Sequence, residues 1–163
     1  MARRAFFSFH YENDVWRANI VRNSWVTKED REAAGFVDAA DFEEVKKGGD
    51  AAIKRWIDNQ LTGTSVTVVL IGSDTSNRPY VQYELQQSYS RGNGLLGIYI
   101  HQLKDRYGNT SSKGSNTFGE IGKDASGNAV YFSTIYPCYD WVDNDGYNNL
   151  GNWIEEAAKK AGK

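Results

Sequence analysis

His10 and His101 are the only histidines in this 163-residue chain, and with Ser8 and several acids they supply the residue types of a hydrolytic triad. His10 directly follows a short apolar run, a position that fits either a ligand contact or a hydrogen-bonded structural role; His101 reads as structural. Tyr80 and Glu84 are four residues apart, so on a helix they share a face, offset from the stripe formed by Val81, Leu85 and Tyr89. An acid on such a flank is ordinarily solvated, so spacing alone leaves the role of Glu84 open. Gly92-Asn93-Gly94-Leu95-Leu96-Gly97 fits G-x-G-x-x-G. A dinucleotide fingerprint follows a strand and opens a helix, and this one does the reverse, so Gly92 is read as a helix stop and Gly94 as a tight turn. The single cysteine, Cys138, can form no internal disulfide, and no Cys/His cluster has zinc spacing, so no metal is expected. Cys138 reads as a small buried apolar residue.

The elements that must position these side chains alternate between strand and helix. Ala5-Phe6-Phe7-Ser8-Phe9 is too short for a helix and reads as a first buried strand. Asn13 or Asp14 is placed to cap a helix with Trp16, Ile20 and Asn23 near one face. Gly35-Phe36-Val37-Asp38 is expected as the second strand. Residues 51–61 show helical spacing at Ile53, Trp56, Ile57 and Leu61, with Gly63 as a stop. Ser65 to Ile71 is a β-branched run without alternation, the pattern of a central strand covered on both faces. Pro79 suits the first turn of the next helix, and Leu95 to Ile100 is the strand after it. Residues 104–128 are rich in Gly, Ser, Asn and Lys and read as a long loop or insertion. An edge strand or hairpin over 130–135, a last strand at Asp140-Trp141-Val142 and a closing helix over 147–161 complete the chain.

This alternation predicts an α/β fold: one flavodoxin-like domain over residues 1–163, its central parallel sheet in the order 2-1-3-4-5 with helices on both faces. Ligands of such sheets bind outside the carboxyl ends of the strands at the switch in strand order. That rule selects Ser8 to Tyr11, Asp38, and Gly72 to Asp74, which includes Ser73. A flavin site would need a Ser/Thr-rich cradle after the first strand, where the chain has His10 to Asp14. A phosphoacceptor would need an aspartate ending the third strand, where Asp74 comes one step late. The net charge of -2 favours neither nucleic acid nor an anionic membrane as partner. No stretch approaches the roughly 20 apolar residues of a membrane span, so a soluble, cytoplasmic protein is expected.

Several segments together resemble the TIR-like proteins of bacterial Thoeris antiphage systems. They are Arg4 to Tyr11, Val21 to Thr27, Ala34 to Ala39, Thr64 to Ser73, Tyr83-Glu84, Lys104 to Asn109, Tyr139 to Val142 and Asp145 to Asn148, in that order along nearly the whole chain. The resemblance implies a TIR fold acting on NAD, releasing nicotinamide and forming an ADP-ribose product, commonly a cyclic isomer that signals to a partner effector. It places Glu84 at the family's catalytic glutamate. The family usually carries an aromatic four residues earlier, often tryptophan; here it is Tyr80. NAD would be the substrate, with no metal or cofactor required. Phe7, Ser8 and His10 become candidates for contacting the nicotinamide ribose. Arg17, Asn19 and Arg22 resemble family positions that could hold ribose or phosphate. Self-association through TIR contacts and a phage protein as trigger are further implications. Two other readings stand beside cyclisation: a non-catalytic TIR scaffold, and a glycohydrolase giving linear or conjugated ADP-ribose.

Overall fold

The computed structural model describes residues 3–26, 31–34, 44–78, 80–123 and 125–163. Its main sheet is built from β1 (Arg3–Ser8), β2 (Arg31–Ala34), β3 (Val66–Ile71) and β4 (Gly94–Tyr99), all parallel. Glu120–Lys123 (β5) and Ala129–Tyr131 (β6) form a separate antiparallel hairpin, and Cys138–Asp140 (β7) pairs in parallel with β4. The order is β2-β1-β3-β4-β7, which is 2-1-3-4-5 when only the strands of this sheet are counted. The helices are α1 (Tyr11–Val26), α2 (Gly49–Leu61), α3 (Val81–Ser90), α4 (Phe132–Ile135) and α5 (Gly146–Lys160).

Every residue of β3 is buried, as a β-branched run covered on both faces requires. Successive side chains on a strand point to opposite faces, and the two faces have different partners. Val66, Val68 and Leu70 pack with Ala5 and Phe7 beneath Ala18, Val21 and Trp25 of α1 and Leu150, Trp153 and Ile154 of α5. On the other face Val69 and Ile71 meet Val81 and Leu85 of α3, Phe118 and Phe132. Phe6 meets Ile57 and Leu61 of α2. Thr67 also turns to this side, where its buried hydroxyl lies 2.6 Å from that of Ser88. Ser8 has the parity of Phe6, so it faces α2 and α3, whereas Phe7 faces α1 and α5.

Several elements differ from their expected bounds. α1 begins at Tyr11, and it is His10 whose Nδ1 accepts the N–H of Asn13 at 3.2 Å, in place of a cap by Asn13 or Asp14. Its inner face is Asp14, Arg17, Ala18, Val21 and Trp25, while Trp16 and Ile20 are exposed. The helix carries two apolar stripes, and the buried one is that of Ala18, Val21 and Trp25. The strand beside β1 is Arg31–Ala34, upstream of the expected segment; Gly35 to Asp38, like Pro79, lies outside the described residues. The last strand ends at Asp140 because its Oδ1 accepts the N–H groups of Val142 (3.0 Å) and Asp143 (2.9 Å), turning the chain where a strand was expected. Residues 104–119 contain neither helix nor strand, but the expected loop to 128 includes β5, and the strand expected over 130–135 ends at Tyr131, after which α4 begins. Gly92 has φ +79° and stops α3 as expected. Gly94 instead allows close approach, since a Cβ there would overlap the carbonyl of Ala157.

Candidate active site

A cleft of about 340 Å³ opens where the strand order switches, beside the carboxyl ends of β1 and β3. His10, Tyr11 and Glu12 enter from the start of α1, and Val45 and Lys46 from a helical stretch over 44–47. Ile53, Trp56 and Ile57 come from α2, and Arg78, Tyr80 and Glu84 from the start of α3. The cleft is mainly apolar, with a few convergent polar groups, the usual make-up of a small-molecule site.

Glu84 is 2% exposed, although it lies on the flank that spacing alone assigns to solvent. Its backbone N–H bonds the carbonyl of Tyr80 at 2.9 Å, and its place near the helix N-terminus favours a negative charge. One carboxylate oxygen, Oε1, accepts a hydrogen bond from Nη2 of Arg78. The other, Oε2, is sealed from solvent and has no hydrogen-bond partner among the described residues. Arg78 caps the short 3-10 turn Thr75–Asn77 and precedes Pro79 in sequence, which confines it to extended backbone, φ -68° and ψ 133°. From there Nη1 reaches back to the tip of β1 and donates to Ser8 Oγ at 2.8 Å.

The other polar groups are tied to neighbours. The ring of His10 lines the cleft with Nε2 3.8 Å from Asp74, too long for a hydrogen bond. The Tyr80 hydroxyl donates to Asp50 at 2.8 Å, a bond that raises the tyrosine's pKa and lowers that of the aspartate. Lys46 stands 3.5 Å from Glu12 across the mouth.

A second polar cluster lies behind the cleft. Asp14 is buried and receives Arg17 Nη1 at 3.0 Å. Burial raises the Asp14 pKa, and the Arg17 hydrogen bond and charge partly offset this. Arg17 also donates to the carbonyls of Leu103 (2.7 Å) and Asn109 (2.9 Å), pinning the start of the long loop. Gly72 lies against the Asp14 carboxylate, and a Cβ there would overlap it.

The profile of the family described as Thoeris protein ThsB, TIR-like domain, matches residues 6–105, more than half of the chain. The chain belongs to the Thoeris ThsB TIR-like family. A relative from Bacillus cereus (strain MSX-D12), named "Putative cyclic ADP-D-ribose synthase ThsB1", is 41% identical over 191 aligned positions, spanning 94% of this chain and 100% of the relative.

Within this ThsB-family chain, Ser8, His10, Tyr80 and Glu84 come together at the cleft, Ser8 through Arg78. Phe7 does not: strand parity turns it into the core beneath α1 and α5. Asn19 is half-buried on α1 and is not part of the cleft wall. Ser73 is exposed beyond the tip of β3 and is also absent from the wall. Asp38 lies outside the described residues. Arg17 is no phosphate ligand in waiting, because carbonyls and Asp14 occupy its donors. Sequence reasoning missed Arg78 and the aromatic wall formed by Trp56. Arg78 did leave a signal, since a cation just before a helix N-terminus opposes the helix dipole and needs a nearby acid. Among the described residues no helix is long and apolar enough to cross a membrane.

Proposed function

We propose that this chain cleaves NAD, releasing nicotinamide and forming a cyclic ADP-ribose isomer as a signal in antiphage defence. The supporting observation is Glu84: a carboxylate held at the wall of an apolar cleft, with one oxygen tied and the other sealed and unpartnered. Membership of the ThsB family, and the printed name of the Bacillus cereus relative, support NAD as the substrate.

In this reaction the bond from ribose C1′ to the nicotinamide nitrogen breaks, and its electron pair leaves with the neutral pyridine. No general acid is required. Positive charge develops on the ribose, and a carboxylate in a low-dielectric cleft stabilises it far more than one in water. Glu84 is the group in position, either facing the cation or accepting a ribose hydroxyl. Trp56, Tyr11 and Tyr80 offer rings against which a base can stack. If a nitrogen or hydroxyl of the same molecule is held at C1′, the new bond closes a ring and one proton is released; if water reaches it first, linear ADP-ribose forms. The apolar lining works against water. The cleft is at the small end for ligand sites, so it accommodates the nicotinamide-ribose half while the adenosine half extends outward.

In this reading residues 1–163 act as one cytoplasmic domain that needs no metal or cofactor. Glu84 is catalytic, His10 and Tyr80 face the substrate, and the chain associates with itself through TIR contacts. A phage protein triggers it, and the product acts on a separate effector. Neither nucleic acid nor a membrane is a partner. The test is Glu84→Gln, which keeps the shape and removes the charge. NAD consumption and product mass should fall by about 10²- to 10³-fold while the variant still unfolds cooperatively on heating. Undiminished turnover by a folded Glu84→Gln protein would remove Glu84 from the mechanism.

A further inference from the structure

We propose that Arg78 is a positioning residue for Glu84, anchoring one carboxylate oxygen to the tip of β1 through Ser8 so that the other oxygen is presented to the substrate ribose. This rests on the NAD-cleaving reading above.

Glutamate has three rotatable side-chain bonds, and a carboxylate free to turn about them spends little time in any one orientation. Arg78 restricts that freedom from two points. Its Nη2 holds Glu84 Oε1 and its Nη1 holds Ser8 Oγ at 2.8 Å. Ser8 is 2% exposed and sits at the last position of β1, in register with Val69 of the fully buried β3. The guanidinium is therefore fastened to a buried, paired residue at the end of β1, and through it so is the carboxylate. A planar fork can hold two acceptors in fixed directions, which a lysine ammonium cannot do.

Glu84 Oε2 is the second observation. It is buried and without a hydrogen-bond partner among the described residues, on a residue that lines the cleft. A buried acceptor left without a donor is unfavourable and is relieved when a ligand brings one. A ribose brings two adjacent hydroxyls. Oε2 is closed to solvent in the free cleft, so with Oε1 committed to Arg78 it is the atom left to receive them once the entering ribose displaces what covers it, and the clamp determines which face of the carboxylate the substrate meets. Ser8, expected from sequence to touch the ribose itself, acts here through Arg78.

The experiment measures steady-state NAD turnover by the purified full chain, alongside Arg78→Ala, Arg78→Lys, Ser8→Ala and Glu84→Gln. Arg78→Ala should lower kcat by about 100-fold, the scale of a small misplacement of a catalytic group, with KM little changed. Added guanidinium ion at millimolar concentration should restore part of that kcat in Arg78→Ala and none in Glu84→Gln. Ser8→Ala should show a smaller loss, again in kcat. Arg78→Lys, which keeps the charge, should also lose kcat, and it serves if the alanine variant does not fold. Wild-type kcat in either Arg78 variant overturns the inference. So does a raised KM at constant kcat, which would make Arg78 a direct substrate ligand, and so does faster turnover, which would make it a block on Glu84. A wild type that leaves NAD intact even when concentrated and supplied with lysate of phage-infected cells instead removes the enzymatic reading itself.

Discussion

Replacing Arg17 by methionine should cost this protein a large part of its stability, and the cost should depend on pH. Arg17 and Asp14 form a pair whose side chains are 5% and 1% exposed, so solvent screening gives little relief. Methionine fills much of the arginine stem's volume but leaves Asp14 buried without a counter-charge, a change worth about 3–5 kcal/mol. It also removes the donors serving Leu103 and Asn109. For a chain of this length each kcal/mol moves the melting temperature by about 2–4 °C, so a fall of roughly 6–20 °C is expected at pH 7. Burial already raises the Asp14 pKa, and Arg17 is the main influence lowering it. Its loss raises that pKa further. A carboxyl raised in the folded state binds more protons folded than unfolded, so its contribution to stability falls as pH rises through the folded pKa. The deficit relative to wild type should thus be largest at neutral pH and narrow as pH falls and Asp14 takes up its proton. Thermal unfolding followed by circular dichroism at pH 7 and pH 5 gives both differences, and subtracting wild type at each pH removes the contribution of other groups. A deficit below about 1 kcal/mol, or one that does not narrow on acidification, would refute the account of Arg17 as a buried counter-charge.

Two further outcomes follow from close contacts and burial. Gly72→Ala places a methyl group into the Asp14 carboxylate and should destabilise by about 1–3 kcal/mol in chemical denaturation, with a clearly less than additive effect when combined with Asp14→Ala; simple additivity would show that the two do not touch. Cys138, its thiol pushed by burial up to about 11, should resist iodoacetamide at pH 8 in the folded protein and label readily once unfolded. Rapid labelling of the native chain, read by mass spectrometry, would contradict that burial.

The helices α2, α3 and α5 were legible from apolar residues repeating at helical spacing, although Tyr89, expected on the inner stripe of α3, is exposed, and β3 was legible because its β-branched run is apolar on both faces. α1 was not, because it carries two short apolar stripes. Nothing local decides between Trp16 with Ile20 and Ala18 with Val21 and Trp25; the buried face is the one from which Arg17 reaches the carbonyls of Leu103 and Asn109 on a distant loop. Glu84 could be named from family resemblance, while its helical position argued for solvent. Phe7 was misplaced by one strand parity, enough to move a side chain from the site to the opposite core.

Residue type and spacing were sufficient to specify the alternation of strand and helix, the burial of β3 and the glutamate on the helix after it, because these depend on neighbours within one element. The partners of the charged groups were decided only in three dimensions. Arg78 meets Ser8 across 70 residues of chain, and Arg17 meets Leu103 across 86. A hydrogen bond requires about 3 Å between atoms, and no sequence period encodes a distance closed by the packing of the whole sheet.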